Sequence, residues 1–103
     1  MTTRIETDLM IPGRGEPIEG ATVILDGDTI TYAGPTGGAP TTPDTDSTHV
    51  GVLMPGLWEA HAHFFGLATP DIATQFTEPA ERQAARAVGD LGRTLMGGVT
   101  SAR

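Results

Sequence analysis

Two of the three histidines in this chain, His61 and His63, stand two positions apart in the run Leu53-Met54-Pro55-Gly56-Leu57-Trp58-Glu59-Ala60-His61-Ala62-His63-Phe64. Side chains alternate along an extended strand, so a strand through this run puts both imidazoles on one face with their rings close together. Two neutral imidazoles converging on one point suit a divalent metal such as Zn²⁺. Pro55-Gly56 fixes the entry to the strand, and Phe64-Phe65 offers a dry wall beside the pair. The bland alternative is two unliganded histidines on a half-exposed strand, and a bare His-x-His does not decide between the two.

The neighbouring residues narrow the chemistry. Phe65 and Gly66 occupy the places where a metallo-β-lactamase-type site needs a further Asp and His, and Leu67, Ala68 and Thr69 stand where a cupin-type site needs a Glu. Glu59 shares the strand face of His61 and is close enough in sequence to reach a metal, whereas Trp58 falls on the opposite face and reads as packing. His49 lies before the run, by a linker, and reads as an ordinary surface histidine. Asp26 and Asp28 flank Gly27, and a hairpin turn explains them in full. With no cysteine in the chain, zinc–thiolate sites, disulfides and a cysteine nucleophile are all excluded. No residue of the chain is assigned as catalytic or as binding an organic cofactor.

The elements that must position the histidine pair fall into three textures. From Arg4 to Gly34 the pattern is strand-like: Asp8–Ile11 closed by Pro12-Gly13, then Ala21–Leu25 and Thr29–Ala33 joined across Asp26-Gly27-Asp28, where an Asp-Gly step favours a tight turn. These strands predict a small antiparallel sheet with one buried face. Residues 35–48, with three prolines and two glycines, read as a linker. Val50–Leu53 resumes an apolar stretch. From Glu78 to Met96 the period turns helical, with Ala80, Ala84, Ala87, Val88, Leu91 and Leu95 forming one apolar stripe and Arg82, Arg86 and Arg93 on the solvated side. Pro79 suits the first helical turn, Thr77 or Glu78 the N-cap, and Gly97-Gly98 the stop. Val99–Ala102 then reads as another strand, giving strand–helix–strand and hence a parallel pair.

Charge and length set the outer bounds. Thirteen acidic against six basic residues give a net charge of −7, all six cations are Arg, and they are scattered, so no phosphate-binding stripe exists and nucleic-acid binding is disfavoured. No apolar run approaches the roughly 18 residues of a membrane span, and the N-terminus has no apolar signal region, so a cytoplasmic chain without a membrane partner is expected. At 103 residues the chain is too short for a complete (β/α)₈ barrel, which takes roughly 200 at the least.

The run Pro55-Gly56-Leu57-Trp58-Glu59-Ala60-His61-Ala62-His63 resembles the first-strand signature of the amidohydrolase superfamily, Pro-Gly-hydrophobic-x-Asp/Glu-x-His-x-His. Upstream, Gly15 to Gly34 is similar to the N-terminal strands of these enzymes. Downstream, Ala87 to Arg103 is similar to the helix and second strand that follow. The flavour is closest to the imidazolonepropionase-related and prolidase-like members. The resemblance implies an α/β fold: a small N-terminal β-sandwich portion over residues 1–53, then the first β-α-β of an incomplete, truncated (β/α)₈ barrel over residues 54–103. It makes His61 and His63 metal ligands, with Zn²⁺ the expected cation, and Glu59 structural. It also implies a hydrolase that attacks carbon–nitrogen bonds of a small amide, cyclic amide or dipeptide-like substrate with metal-activated water. In the family, later strands supply a carboxylated Lys or a carboxylate, two more His and an acid/base Asp. This chain has no Lys and ends at the second strand, so it is expected to be the inactive N-terminal piece of a larger hydrolase. Two readings of other classes stand beside this one: a small β-rich binding module without enzymatic activity, and a two-histidine metal-binding protein.

Overall fold

The structure is a computed structural model that describes residues 1–43 and 45–103; position 44, inside the expected 35–48 linker, lies outside the described residues. Two compact units are found, residues 1–55 and 56–103. The chain is of the α/β class, with a β-rich sheet and one helix.

The first unit is a four-stranded sheet in the order β3-β2-β1-β4, built from β1 (Thr2–Met10), β2 (Ile18–Asp26), β3 (Thr29–Pro35) and β4 (Asp46–Leu53). The β-branched run Ala21–Ile24 sits in a strand flanked on both sides, and all four residues are buried. Ala21, Val23 and Met10 form the core, with Ile5, Ile18, Leu25 and Leu53 packed against it. Two threonines are buried as well, and each has its hydroxyl satisfied: Thr22 Oγ1 bonds Thr36 Oγ1 at 3.0 Å, and Thr7 Oγ1 donates to the Leu9 carbonyl at 3.0 Å. Burial without a partner would cost each hydroxyl about 1–3 kcal/mol.

Three sequence expectations are corrected in this unit. The first strand runs from Thr2 rather than Asp8, because the whole of it pairs antiparallel with β2 from Thr2↔Asp26 to Met10↔Ile18. The sheet is mixed rather than antiparallel, since β4 pairs parallel with β1, from Thr3↔Asp46 to Met10↔Leu53. That same ladder draws Asp46–Thr48 out of the expected linker into strand, and Thr36–Gly38 forms a 3₁₀ turn. A polar, Pro-flanked segment becomes strand because its backbone groups complete an otherwise open sheet edge, which local propensity does not report. The hairpin across Gly27-Asp28 is found where it was expected.

The second unit contains β5 (Leu57–Glu59), a 3₁₀ turn (Ile72–Phe76), helix α1 (Ala80–Met96) and β6 (Val99–Ala102), with β5 and β6 paired in parallel. Helix α1 stops as the glycines foretell: the Gly98 amide donates to the Leu95 carbonyl at 2.9 Å, and Gly98 takes a φ of 94°, which only glycine adopts without strain. Its start differs. Pro79 is the N-cap and offers no side-chain bond, because Thr77 already ends the preceding 3₁₀ turn and Glu78 pairs with Arg86. The apolar stripe is not a buried face either: Val88, Leu91 and Leu95 are exposed, while Gln83, Ala87, Asp90 and Thr94 lie on the half-covered side. Among the described residues, no side chain of residues 56–103 is fully buried.

The two units therefore respond differently to truncation. Ile24→Ala, in the sheet, is expected to cost about 2–5 kcal/mol, whereas Val88→Ala, on the exposed helix stripe, stays within about 0.5 kcal/mol. Urea unfolding followed by circular dichroism distinguishes the two, and equal effects would contradict this account of where the core lies.

Candidate functional site

The histidine pair is held by backbone pairing that runs past the formal end of β5. Leu57 N–H donates to the Gly98 carbonyl at 2.8 Å, Arg103 N–H to the Glu59 carbonyl at 3.0 Å, and Ala62 N–H to the Arg103 carbonyl at 2.9 Å. The last of these bonds lies between the two histidines and resumes the pairing after a bend at Ala60-His61. His61 N–H is fixed separately, donating to Oε1 of Glu59 at 3.0 Å.

His61, His63 and Phe65 fall on the same side and form a column of rings. His61 meets His63 edge-on, with ring centroids 4.7 Å apart and planes at 72°. His63 stacks on Phe65, at 4.9 Å and 18°. The two Nε2 atoms face each other at 2.8 Å.

That separation permits two kinds of chemistry. As a hydrogen bond between neutral rings, the contact requires one Nε2 to donate and the other to accept, and so opposite tautomers on the two rings. Alternatively both present lone pairs to one cation: nitrogens about 2.0–2.1 Å from a zinc ion lie about 2.9 Å apart at a right angle and about 3.3 Å apart at the tetrahedral angle. The observed 2.8 Å is close to the right-angle case and shorter than the tetrahedral one. The donor set is small, since no group of three or more His, Asp or Glu side chains is clustered for a metal among the described residues.

The other singled-out residues sort clearly. Glu59 bonds to the His61 backbone rather than joining the imidazoles, a positioning contact. Trp58 is 73% exposed and does not pack, contrary to expectation, because the residues around it leave that face uncovered. His49 is on β4 and bonds Asp8 Oδ1 through Nε2 at 3.1 Å, an exposed pair in the first unit and outside this site. Arg82 and Arg93 are on the exposed side of α1, and Arg93 pairs with Asp90.

Arg86 is a residue whose part the sequence hid. It pairs with Glu78 and reaches the Gly66 carbonyl at 3.5 Å, so it ties the loop after the histidines to the helix. Gln83 adds a second tie, its Nε2 donating to the carbonyls of Gln75 at 2.7 Å and Glu78 at 3.0 Å. Both lie on the partly covered side of α1. The one usable signal was the glycine itself: Gly66 has a φ of 62° and sits against the Gln83 carbonyl, in space that a Cβ would have to share.

Comparison with known proteins gives consistent results. No family model matches the chain. Ochratoxinase of Aspergillus niger is 43% identical over 67 residues, which is 62% of this chain and 14% of that protein. The crystal structure of A. niger ochratoxinase superposes with a TM-score of 0.87 at 34% identity, covering 99% of this chain and 25% of that one. A prolidase complexed with N-methylphosphonate-L-proline (TM-score 0.83, 24% identity) and a Xaa-Pro dipeptidase with bound methionine (0.79, 21%) share the fold, each over the full length of this chain and about a quarter of their own. The chain thus spans between a seventh and a quarter of the length of the proteins it matches.

Gly66→Ala should displace the loop from α1. The left-handed backbone alone costs a non-glycine roughly 1–2 kcal/mol, and the crowding at the Gln83 carbonyl adds to it. The expected result is a lower melting temperature and a weaker helical signal in far-ultraviolet circular dichroism. An unchanged melt would show that the close approach is dispensable.

Proposed function

We propose that the chain is part of a metal-dependent hydrolase of the amidohydrolase superfamily acting on carbon–nitrogen bonds, a reading supported by its likeness in sequence and fold to ochratoxinase and in fold to a prolidase. In this reading His61 and His63 are ligands of a divalent cation, Zn²⁺ by the preference of paired imidazoles. The observation that carries the proposal is the Nε2–Nε2 approach of 2.8 Å on adjacent same-side positions. Residues 1–53 would then be the β-sandwich portion of the enzyme, and residues 54–103 the opening β-α-β of its (β/α)₈ barrel. The parallel pairing of β5 with β6 around α1 supports that assignment.

The substrate class that follows is a small amide, cyclic amide or dipeptide-like molecule. When bound, the cation supplies Lewis acidity toward water and toward the scissile carbonyl. The chain's own residues do the positioning. His61 and His63 donate from Nε2, Glu59 holds the His61 backbone, and the Ala62–Arg103 bond keeps the two imidazoles on one side. Catalytic zinc sites typically use three protein ligands and a water, and two imidazoles fall short of that. A general base is also needed within hydrogen-bond reach of the attacking water, and none is assigned here. Hydrolysis by these 103 residues alone is therefore not expected.

Calorimetric titration with Zn²⁺ tests the reading. One equivalent should bind with micromolar or weaker affinity, because two donors supply only part of a shell, and His61→Ala or His63→Ala should each abolish it. Peptidase and amidase assays of the same chain should stay at background. Binding that survives His61→Ala would remove the pair from the proposal. Tight sub-micromolar binding would favour a metal-carrying protein over part of an enzyme.

A further inference from the structure

We propose that Phe65 is a positioning residue for the metal pair: its ring clamps the His63 imidazole so that Nε2 is already turned toward Nε2 of His61 before a cation arrives. The inference rests on the metal reading given above and extends it to a residue that contributes no donor atom. His63 is solvent-exposed and would otherwise sample several rotamers, with the conformational cost of fixing it due on binding. Phe65 removes much of that freedom. Its plane lies 18° from that of His63 with centroids 4.9 Å apart, within the range of offset aromatic stacking. The lone pair of Nε2 lies in the imidazole plane, so a ring laid on the face leaves it free to donate. His61, by contrast, meets His63 edge-on at 72°, which turns the two nitrogens toward each other. Face contact from one side and edge contact from the other fix the ring in both tilt and direction.

Phe65 is suited to this role rather than to core packing. It is 39% exposed, and it stands outside the sheet core of the first unit. The adjacent Phe64 is turned the other way, lining a small groove with Leu91, Leu95 and Val99.

The test compares the 103-residue chain with Phe65→Leu and Phe65→Tyr, using Zn²⁺ calorimetry and histidine ring resonances in NMR. Phe65→Leu is expected to weaken Zn²⁺ binding roughly two- to twelvefold, the loss of one aromatic pair, and to move the His63 ring protons downfield as the stacked ring is removed. Phe65→Tyr keeps the stack and should retain both affinity and shifts. If Phe65→Leu loses its helical circular-dichroism signal, Phe65→Met carries the same comparison. Zn²⁺ binding of undiminished strength in a folded Phe65→Leu or Phe65→Met chain overturns the role of Phe65 and leaves the metal pair standing. Equal weakening in Phe65→Tyr overturns it too, because stacking would not be the cause. A wild-type chain whose His61 and His63 resonances ignore Zn²⁺ overturns the metal reading itself, and this proposal with it.

Discussion

The parallel ladder between β5 and β6 is the constraint on which the candidate site depends. Three backbone bonds, from Leu57 to Gly98, Arg103 to Glu59 and Ala62 to Arg103, pair the histidine segment with the end of β6 on both sides of a bend at Ala60-His61. Each such bond contributes a net of about 0.5–1.5 kcal/mol, but its larger effect is geometric. The pairing resumes at Ala62, and the rings of residues 61, 63 and 65 meet in one column. The Glu59 carboxylate accepts from the His61 amide across that bend, and the 2.8 Å approach and the stack on Phe65 are made beyond it.

The same ladder explains how a site can be well formed in a unit with little burial. Buried apolar side chains are Met10, Ala21, Val23 and Ile24, all in the first unit. The second unit is organised by hydrogen bonds instead: the strand pair, the Gln83 ties to the carbonyls of Gln75 and Glu78, and the Arg86 link from the helix to Glu78 and Gly66. Directional bonds fix angles and registers in a way that non-directional apolar contact does not. A pair of facing imidazoles keeps its approach only while its angles are fixed, and here polar contacts hold the backbone that carries it.

What was legible in the sequence follows the same division between local and distant causes. The convergence of His61 and His63 was readable from their two-residue spacing, whereas the bend at Ala60-His61 that accompanies it was not. The Gly27-Asp28 turn and the glycine stop of α1 were readable because they depend on backbone preferences of the residues themselves. The parallel entry of β4 was not, since Asp46–Thr48 looks like linker and becomes strand only when β1 offers it an edge. The helix misled in a more instructive way. Its apolar stripe of Val88, Leu91 and Leu95 has the right spacing for a buried face, yet the half-covered side carries Gln83, Ala87, Asp90 and Thr94. Periodicity reports which face prefers burial, and only the surrounding chain decides which face is covered.

This division bears on the chemistry the site can support. The contacts that set the histidine geometry among the described residues include the strand pair, the Glu59 bond to the His61 amide and the ring column. Two donors at a near-right-angle spacing set a direction for a cation but do not enclose it. The open directions around the ion are where further ligands, water and substrate must enter, and a hydrolytic site has to keep at least one of them free. The energetic task therefore divides in two. These residues contribute orientation, already bound up in hydrogen bonds and stacking before any ion arrives, and donors outside the pair would have to contribute most of the affinity. In the proposed metal reading a preformed pair would lower the ordering cost of whatever completes the shell, and a ring without a donor atom, such as that of Phe65, would contribute through that term.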